Sequence, residues 1–273
     1  MIAPMKPILL ANCAAWLRRE PLSIDNDALE DSLRATREAG FDAVAVMGFQ
    51  VQFGGDDAVR IVTDSGLRVS TIDAALGWTE GPSDAALAEI DGLLALADRL
   101  DADVIHATTL NADVDLAAAT DGYAAIAERA EQAGKVLALE FLPWTGVPSL
   151  AVANQICASG GPAAGVLLDT WHWVRQPGGP DLDLLRSLPG HRITSVQLSD
   201  VAPVPAADLE HEAMHERLLP GGGVVDYASL WEALDHIGAE PAVAAEVLSD
   251  DLVTMGADAM ANAVHDSARA VLP

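Results

Sequence analysis

A closed (β/α)8 barrel is the fold class this sequence predicts, and three observations predict it. Eight short apolar segments of strand character recur along 273 residues, with helical segments between them. Several of these units share a junction at which a helix stops at a glycine and a strand begins. REAGFDAVAV, TDSGLRVSTI and EQAGKVLALE show it at Gly40, Gly66 and Gly134, where a left-handed residue ends the helix. Four of the later segments end in an acid or an amide, which is where a barrel enzyme carries its site. An open doubly wound sheet is the structural alternative. No G-x-G-x-x-G follows the first strand, which weakens a dinucleotide-binding version of it.

Taken in order, strands are expected near 8–11, 42–47, 68–72, 103–107, 136–141, 165–169, 193–198 and 242–247. The first lies in PILLANCAAWLRRE. Its apolar part is short, contains Asn12 and runs into Arg18 and Arg19 with no clean cleavage site, so it reads as a strand and not as a signal peptide. The intervening helices carry apolar residues at three- and four-residue spacing, as in Leu87, Ile90, Leu94 and Ala97. No linker or low-complexity segment divides residues 1–273, so one domain is expected. The longest irregular stretch, about 199–226, is rich in proline, glycine and acids. A loop of that length in a compact domain is expected to be a lid or site loop.

Bulk properties narrow the function classes. The formal net charge is −26, which opposes nucleic acid and anionic membrane surfaces. Half of the chain is apolar, yet no run is long enough to cross a bilayer, and a cytoplasmic protein is expected. Cys13 and Cys157 make no disulfide framework and read as small apolar residues. The only lysines, Lys6 and Lys135, both precede strands, at the barrel end opposite a site. Iminium chemistry needs a lysine at the other end, so an enolate formed here would call for a metal.

The chemistry-bearing residues close four apolar runs. LALE ends in Glu140, GVLLD in Asp169 with His172 three residues on, SVQ in Gln197 and VAAE in Glu246. Two acids from separate strands, a third acid and an amide oxygen suit a hard divalent cation. The two Glu residues are also candidates for moving protons on a bound substrate.

The ordered set of E, D-x-x-H, (H or Q)-x-x-D, R-x-x-x-G-x-G and E resembles that of the xylose-isomerase-like TIM barrels. That group holds sugar isomerases, epimerases, and inosose and dehydroshikimate dehydratases. Here the set is Glu140, Asp169 to His172, Gln197 to Asp200, Arg217 with Gly221 and Gly223, and Glu246. The resemblance implies one divalent cation on Glu140, Asp169, Gln197 and Glu246, with His172 contacting a substrate oxygen. Most members carry histidine where this chain has Gln197. An amide oxygen is harder than imidazole, which favours Mn²⁺ or Mg²⁺ and leaves Co²⁺ or Zn²⁺ admissible. Arg217, His106, Trp144, Trp171, Trp173 and Arg175 are candidate substrate contacts, the tryptophans as apolar walls.

The expected activity is metal-dependent isomerisation or epimerisation of a polyhydroxylated small molecule, with Glu140 and Glu246 as acid and base. Loss of a β-hydroxyl would give a dehydratase instead, with His172 as the acid. A non-catalytic binding protein on a decayed barrel is opposed by the retention of both Glu residues, Asp169 and His172. DNA-repair endonucleases on this fold need a histidine-rich metal cluster and a basic face. HEAMH, from His211 to His215, matches the H-E-x-x-H pattern of zinc proteases. Its short, acidic setting opposes that reading, as does the lack of anything to bring Glu232 in as a third ligand. Partners are expected to be a small-molecule substrate, with no nucleic acid and no membrane; a homodimer is allowed.

Overall fold

The computed structural model describes residues 9–12 and 25–273. Its eight strands are β1 (Leu9–Asn12), β2 (Ala43–Met47), β3 (Arg68–Ala75), β4 (Val104–Ala107), β5 (Val136–Glu140), β6 (Ala164–Asp169), β7 (Ile193–Leu198) and β8 (Ala242–Ala245). Each strand pairs in parallel with the next, and β1 closes on β8, so the sheet is a barrel without edges. β3 runs three residues past the expected Ile72, and that extension carries Asp73 to the mouth. Lys6 and Cys13 lie outside the described residues.

The helices that cross between strands are α1 (Asn26–Ala39), α2 (Gly48–Asp64), α3 (Asp84–Leu100), α4 (Leu116–Gln132) and α5 (Leu150–Cys157). In the second half come α6 (Thr170–Arg175), α7 (Leu182–Ser187), α8 (Leu209–His215), α9 (Tyr227–His236), α10 (Asp250–Val253) and α11 (Ala257–Val271). Side-chain caps begin most of them: Asp25, Ser83, Asp115 and Ser149 each accept backbone N–H bonds from the first turn. Gly40, Gly66 and Gly134 all take the left-handed conformation the junctions called for. α3 turns Ile90, Leu94 and Ala97 inward, with Leu87 half-buried. No helix among the described residues is long and apolar enough to cross a membrane.

Alternation along the strands makes two cores. Outward-facing residues such as Val44, Val46, Leu137 and Leu139 pack under the helices with Trp78, Tyr123 and Phe141. Inward-facing residues fill the barrel with small layers, Leu10, Ala43 and Ala244 on one side and Val104, Ala138 and Leu167 on the other. Lys135 precedes β5 and pairs with Asp98 at 3.2 Å, at the end away from the mouth.

Candidate active site

Strand register explains why the polar residues converge. Glu140 lies level with Leu167, Asp169 with Gln197, and Gln197 with Ala244, two residues before Glu246. Glu140, Asp169, Gln197 and Glu246 each come two positions after an inward-facing residue, Ala138, Leu167, Ser195 or Ala244, so by strand alternation they also face inward, at the C-terminal mouth. Glu140, Gln197 and Glu246, with His172 and Arg217, line a cavity of about 670 Å³. Asp169 does not line it: it is fully buried, behind the lining Arg217.

The D-x-x-H spacing has a local cause. Asp169 both ends β6 and caps α6: its Oδ1 accepts from the N–H groups of Trp171 at 2.7 Å and His172 at 3.1 Å. That turn swings His172 back over the mouth, where Nε2 meets Glu140 Oε1 at 3.4 Å. Candidate ligand atoms of Glu140, Asp169 and His172 all fall within 4.8 Å of one another. Gln197 is 2% exposed and its Oε1 has no partner among the described residues. A buried amide oxygen left in this state is costly unless a ligand completes it. Together with three carboxylates, the donor set is oxygen-rich and fits a hard divalent cation.

Arg217 is the electrostatic counterweight. Its Nη1 donates to Asp169 Oδ2 at 2.8 Å and to Glu246 Oε2 at 3.0 Å, and its Nε donates to the Ala213 carbonyl at 2.7 Å. Burial lowers the affinity of this guanidinium for its proton, but Asp169, Glu246 and Glu140 more than reverse that, and the net direction is up. Burial drives the Glu246 carboxyl well above the usual carboxylate range. Arg217 opposes that rise, and repulsion from Glu140, Asp169 and Asp73 adds to it.

The segment 199–226, expected to be irregular, is a structured arm. The Asp200 carboxylate accepts from the N–H groups of Val201, Gly221 and Val225 at 2.8, 3.0 and 3.0 Å. Backbone bridges join Asp200 to Leu218 and Glu216 to Ser249, fixing Arg217 between the ends of β7 and β8. Gly221 takes φ +81°, and a Cβ on Gly223 would run into the Val201 carbonyl and the Asp200 carboxylate, so both glycines of R-x-x-x-G-x-G are needed for this turn. HEAMH lies in α8. The His211 and His215 rings share one face, stacked at 4.5 Å. Glu212 turns the other way and is buried on Arg175 at 2.5 Å, so it faces no imidazole and cannot act as the base of a zinc protease.

The other expected contacts separate. Trp144 lines the cavity and meets His172 edge-on at 5.5 Å. Trp171 lies behind it, fully buried, with the guanidinium carbons of Arg175 and Arg217 at 5.9 and 6.0 Å from its ring. Trp173 belongs to the core beneath the helices, not to the cavity wall. Arg175 is committed to Glu212 and the Ala202 carbonyl. His106 is buried inside the barrel between Asp73 and Ser195 Oγ, the latter at 3.2 Å. Asp73 lines the cavity and was not among the expected residues. Its signal was available, since VSTID is another strand segment ending in an acid.

A sequence-family model described as xylose isomerase-like TIM barrel matches residues 33–270. No curated protein matches the sequence. Among solved structures, the IolI protein with a binding zinc atom superposes with TM-score 0.80 at 18% identity, over 98% of both chains. A xylose isomerase-like TIM barrel/4-hydroxyphenylpyruvate dioxygenase fusion protein also gives 0.80, at 21% identity; the match covers 97% of this chain but 42% of the fusion protein. D-allulose 3-epimerase from Methylomonas sp. in complex with D-allulose gives 0.71 at 15% identity, over 98% of both chains. At such identities the likeness establishes a shared fold.

Proposed function

Because the chain belongs to the xylose isomerase-like TIM barrel family, we propose that it is a divalent-metal-dependent isomerase or epimerase of an unphosphorylated polyhydroxylated small molecule. The observation that carries this reading is the buried Gln197 Oε1, without a partner among the described residues, in a cavity that Glu140 and Glu246 also line. Glu140, Asp169, Gln197 and Glu246 would hold Mn²⁺ or Mg²⁺, with Co²⁺ or Zn²⁺ as substitutes. A bound divalent cation polarises a carbonyl and its neighbouring hydroxyl and so acidifies the C–H between them.

The chain's own groups do the rest. One of Glu140 and Glu246 removes the proton, and the other returns one to the adjacent carbon or to the opposite face. Arg217 keeps Asp169 and Glu246 oriented and offsets their charge. Trp144, Leu142 and Leu248 give the cavity an apolar wall for the carbon frame. Among the described cavity residues Arg217 is the sole arginine or lysine, and it is already committed to two carboxylates, which favours a substrate without a phosphate. A second reading, dehydration of a hydroxy-ketone, is favoured by one feature. His172 reaches the cavity and its Nδ1 has no partner among the described residues, which suits a proton donor for a departing hydroxyl.

The test is a substrate panel of sugars and cyclitols with added Mn²⁺ in heavy water, followed for both ketose formation and enone absorbance. Solvent deuterium should enter the carbon beside the carbonyl. Glu140→Gln and Glu246→Gln should keep weak metal binding and lose turnover by about a hundredfold or more, since an amide keeps a ligand oxygen but accepts no proton. Turnover without exchange, with both variants active, would refute proton transfer by these residues.

A further inference from the structure

We propose that His211 and His215, with Asp250, form a second metal site at the rim of the cavity, selective for a borderline transition-metal cation such as Zn²⁺, Ni²⁺ or Cu²⁺. HEAMH supplies no protease centre, yet its two imidazoles are brought together. Four-residue spacing on α8 places them on one helix face. Their rings lie 4.5 Å apart and only 20° from parallel, close enough for one ion to span both with a change of side-chain rotamer. Imidazole is the commonest protein ligand for such cations.

Asp250 supplies the supporting carboxylate. His215 Nδ1 lies 3.1 and 3.0 Å from its two oxygens. A carboxylate on Nδ1 orients the ring and places the imidazole lone pair on Nε2, the arrangement found behind metal-bound histidines. Glu216 Oε1 stands 3.6 Å from His211 Nε2 as a second nearby carboxylate. His211, His215 and Asp250 all line the cavity, and His211 and Asp250 are exposed to solvent. The site is nitrogen-rich and open, whereas the inner one is oxygen-rich and buried, so the two should prefer different metals. An ion at the rim would tie α8 to α10 across the mouth.

The experiment is calorimetric titration of untagged, chelator-stripped protein with Zn²⁺ and with Ni²⁺. Two classes of site are expected. His211→Ala and His215→Ala should each weaken only one class, by about 100-fold or more, because losing a ligand exceeds the 10–100-fold cost of losing a supporting group. Asp250→Asn should weaken that class about tenfold. Glu246→Gln should affect the other class alone, so failure of the rim site and failure of the inner site read out separately. Cu²⁺ bound at the rim should show nitrogen hyperfine structure in its electron paramagnetic resonance spectrum, lost in the His211→Ala, His215→Ala double variant. If no class of site is weakened in the His211→Ala, His215→Ala double variant, the proposal is overturned, whether one class or two are seen. A single class lost in that variant would uphold the rim site and overturn the inner one.

Discussion

Replacing Glu212 by alanine should cost this protein several kcal/mol, although position 212 contacts nothing in the cavity. Its Oε1 accepts from Arg175 Nε at 2.8 Å and Nη2 at 2.5 Å, and its Oε2 accepts from the Ala206 N–H at 2.6 Å. The two side chains are 6% and 4% exposed, so solvent cannot replace what is removed. In Glu212→Ala the guanidinium of Arg175 stays buried with the Ala202 carbonyl as its remaining acceptor among the described residues. Breaking a buried pair from one side costs about 3–5 kcal/mol, because the surviving charge is uncompensated. At about 2–4 °C per kcal/mol for a chain of this size, the melting temperature should fall by roughly 6–20 °C. The loss should be local first: α8 is held to α6 by this pair, so proteolysis of the purified variant should open the chain within residues 199–226. Glu212→Gln, which keeps an acceptor for the Ala206 N–H, should lose less. A drop below about 1 kcal/mol in denaturant titration, the worth of an exposed pair, would refute the staple.

Other outcomes follow from the same geometry. Gly223→Ala should cost about 1–3 kcal/mol by overpacking, because its Cβ meets the Val201 carbonyl and the Asp200 carboxylate; denaturant titration checks it. Gln197→His should shift inner-site preference from Mn²⁺ towards Zn²⁺, measured by competition between the two ions, since imidazole is the softer ligand. Burial pushes the Cys157 thiol from 9.0 to about 12, so in a Cys13→Ser background it should resist thiol reagents at pH 8 until the protein unfolds. Because the folded value is the higher one, the stability this thiol contributes is complete below pH 9 and should fall as pH rises from there to about 12. The buried hydroxyl of Tyr123 is shifted in the same direction and adds to the loss.

Much of the barrel was legible because its signals are local. The apolar and β-branched residues of ITSVQL gave β7 to the residue, and Gly40 announced the end of α1 because a left-handed position admits few other residues. The strand-end acids were legible for a related reason: an acid inside an apolar run stands out, as Glu140 and Glu246 do. α8 was not legible, since its buried face is Glu212 and Ala213, with a charge pair in place of an apolar stripe. No periodicity test finds a helix of that kind.

Sequence by itself therefore determined the eight units, their order and the polar residue that closes each of the later strands, because strand alternation and helix stops are written in neighbouring residues. Only the tertiary structure decided what those residues meet. Barrel closure brought Glu140, Gln197 and Glu246 to one cavity and set the buried Asp169 beside Glu140, His172 and Arg217. It also brought Asp73 into the cavity from β3, placed Trp173 beneath the helices, and gave Arg175 to Glu212 and not to the cavity. Arg217 reaches Asp169 and Glu246 across 48 and 29 residues of chain. Contacts over such distances depend on how elements pack, and no spacing within the sequence encodes them.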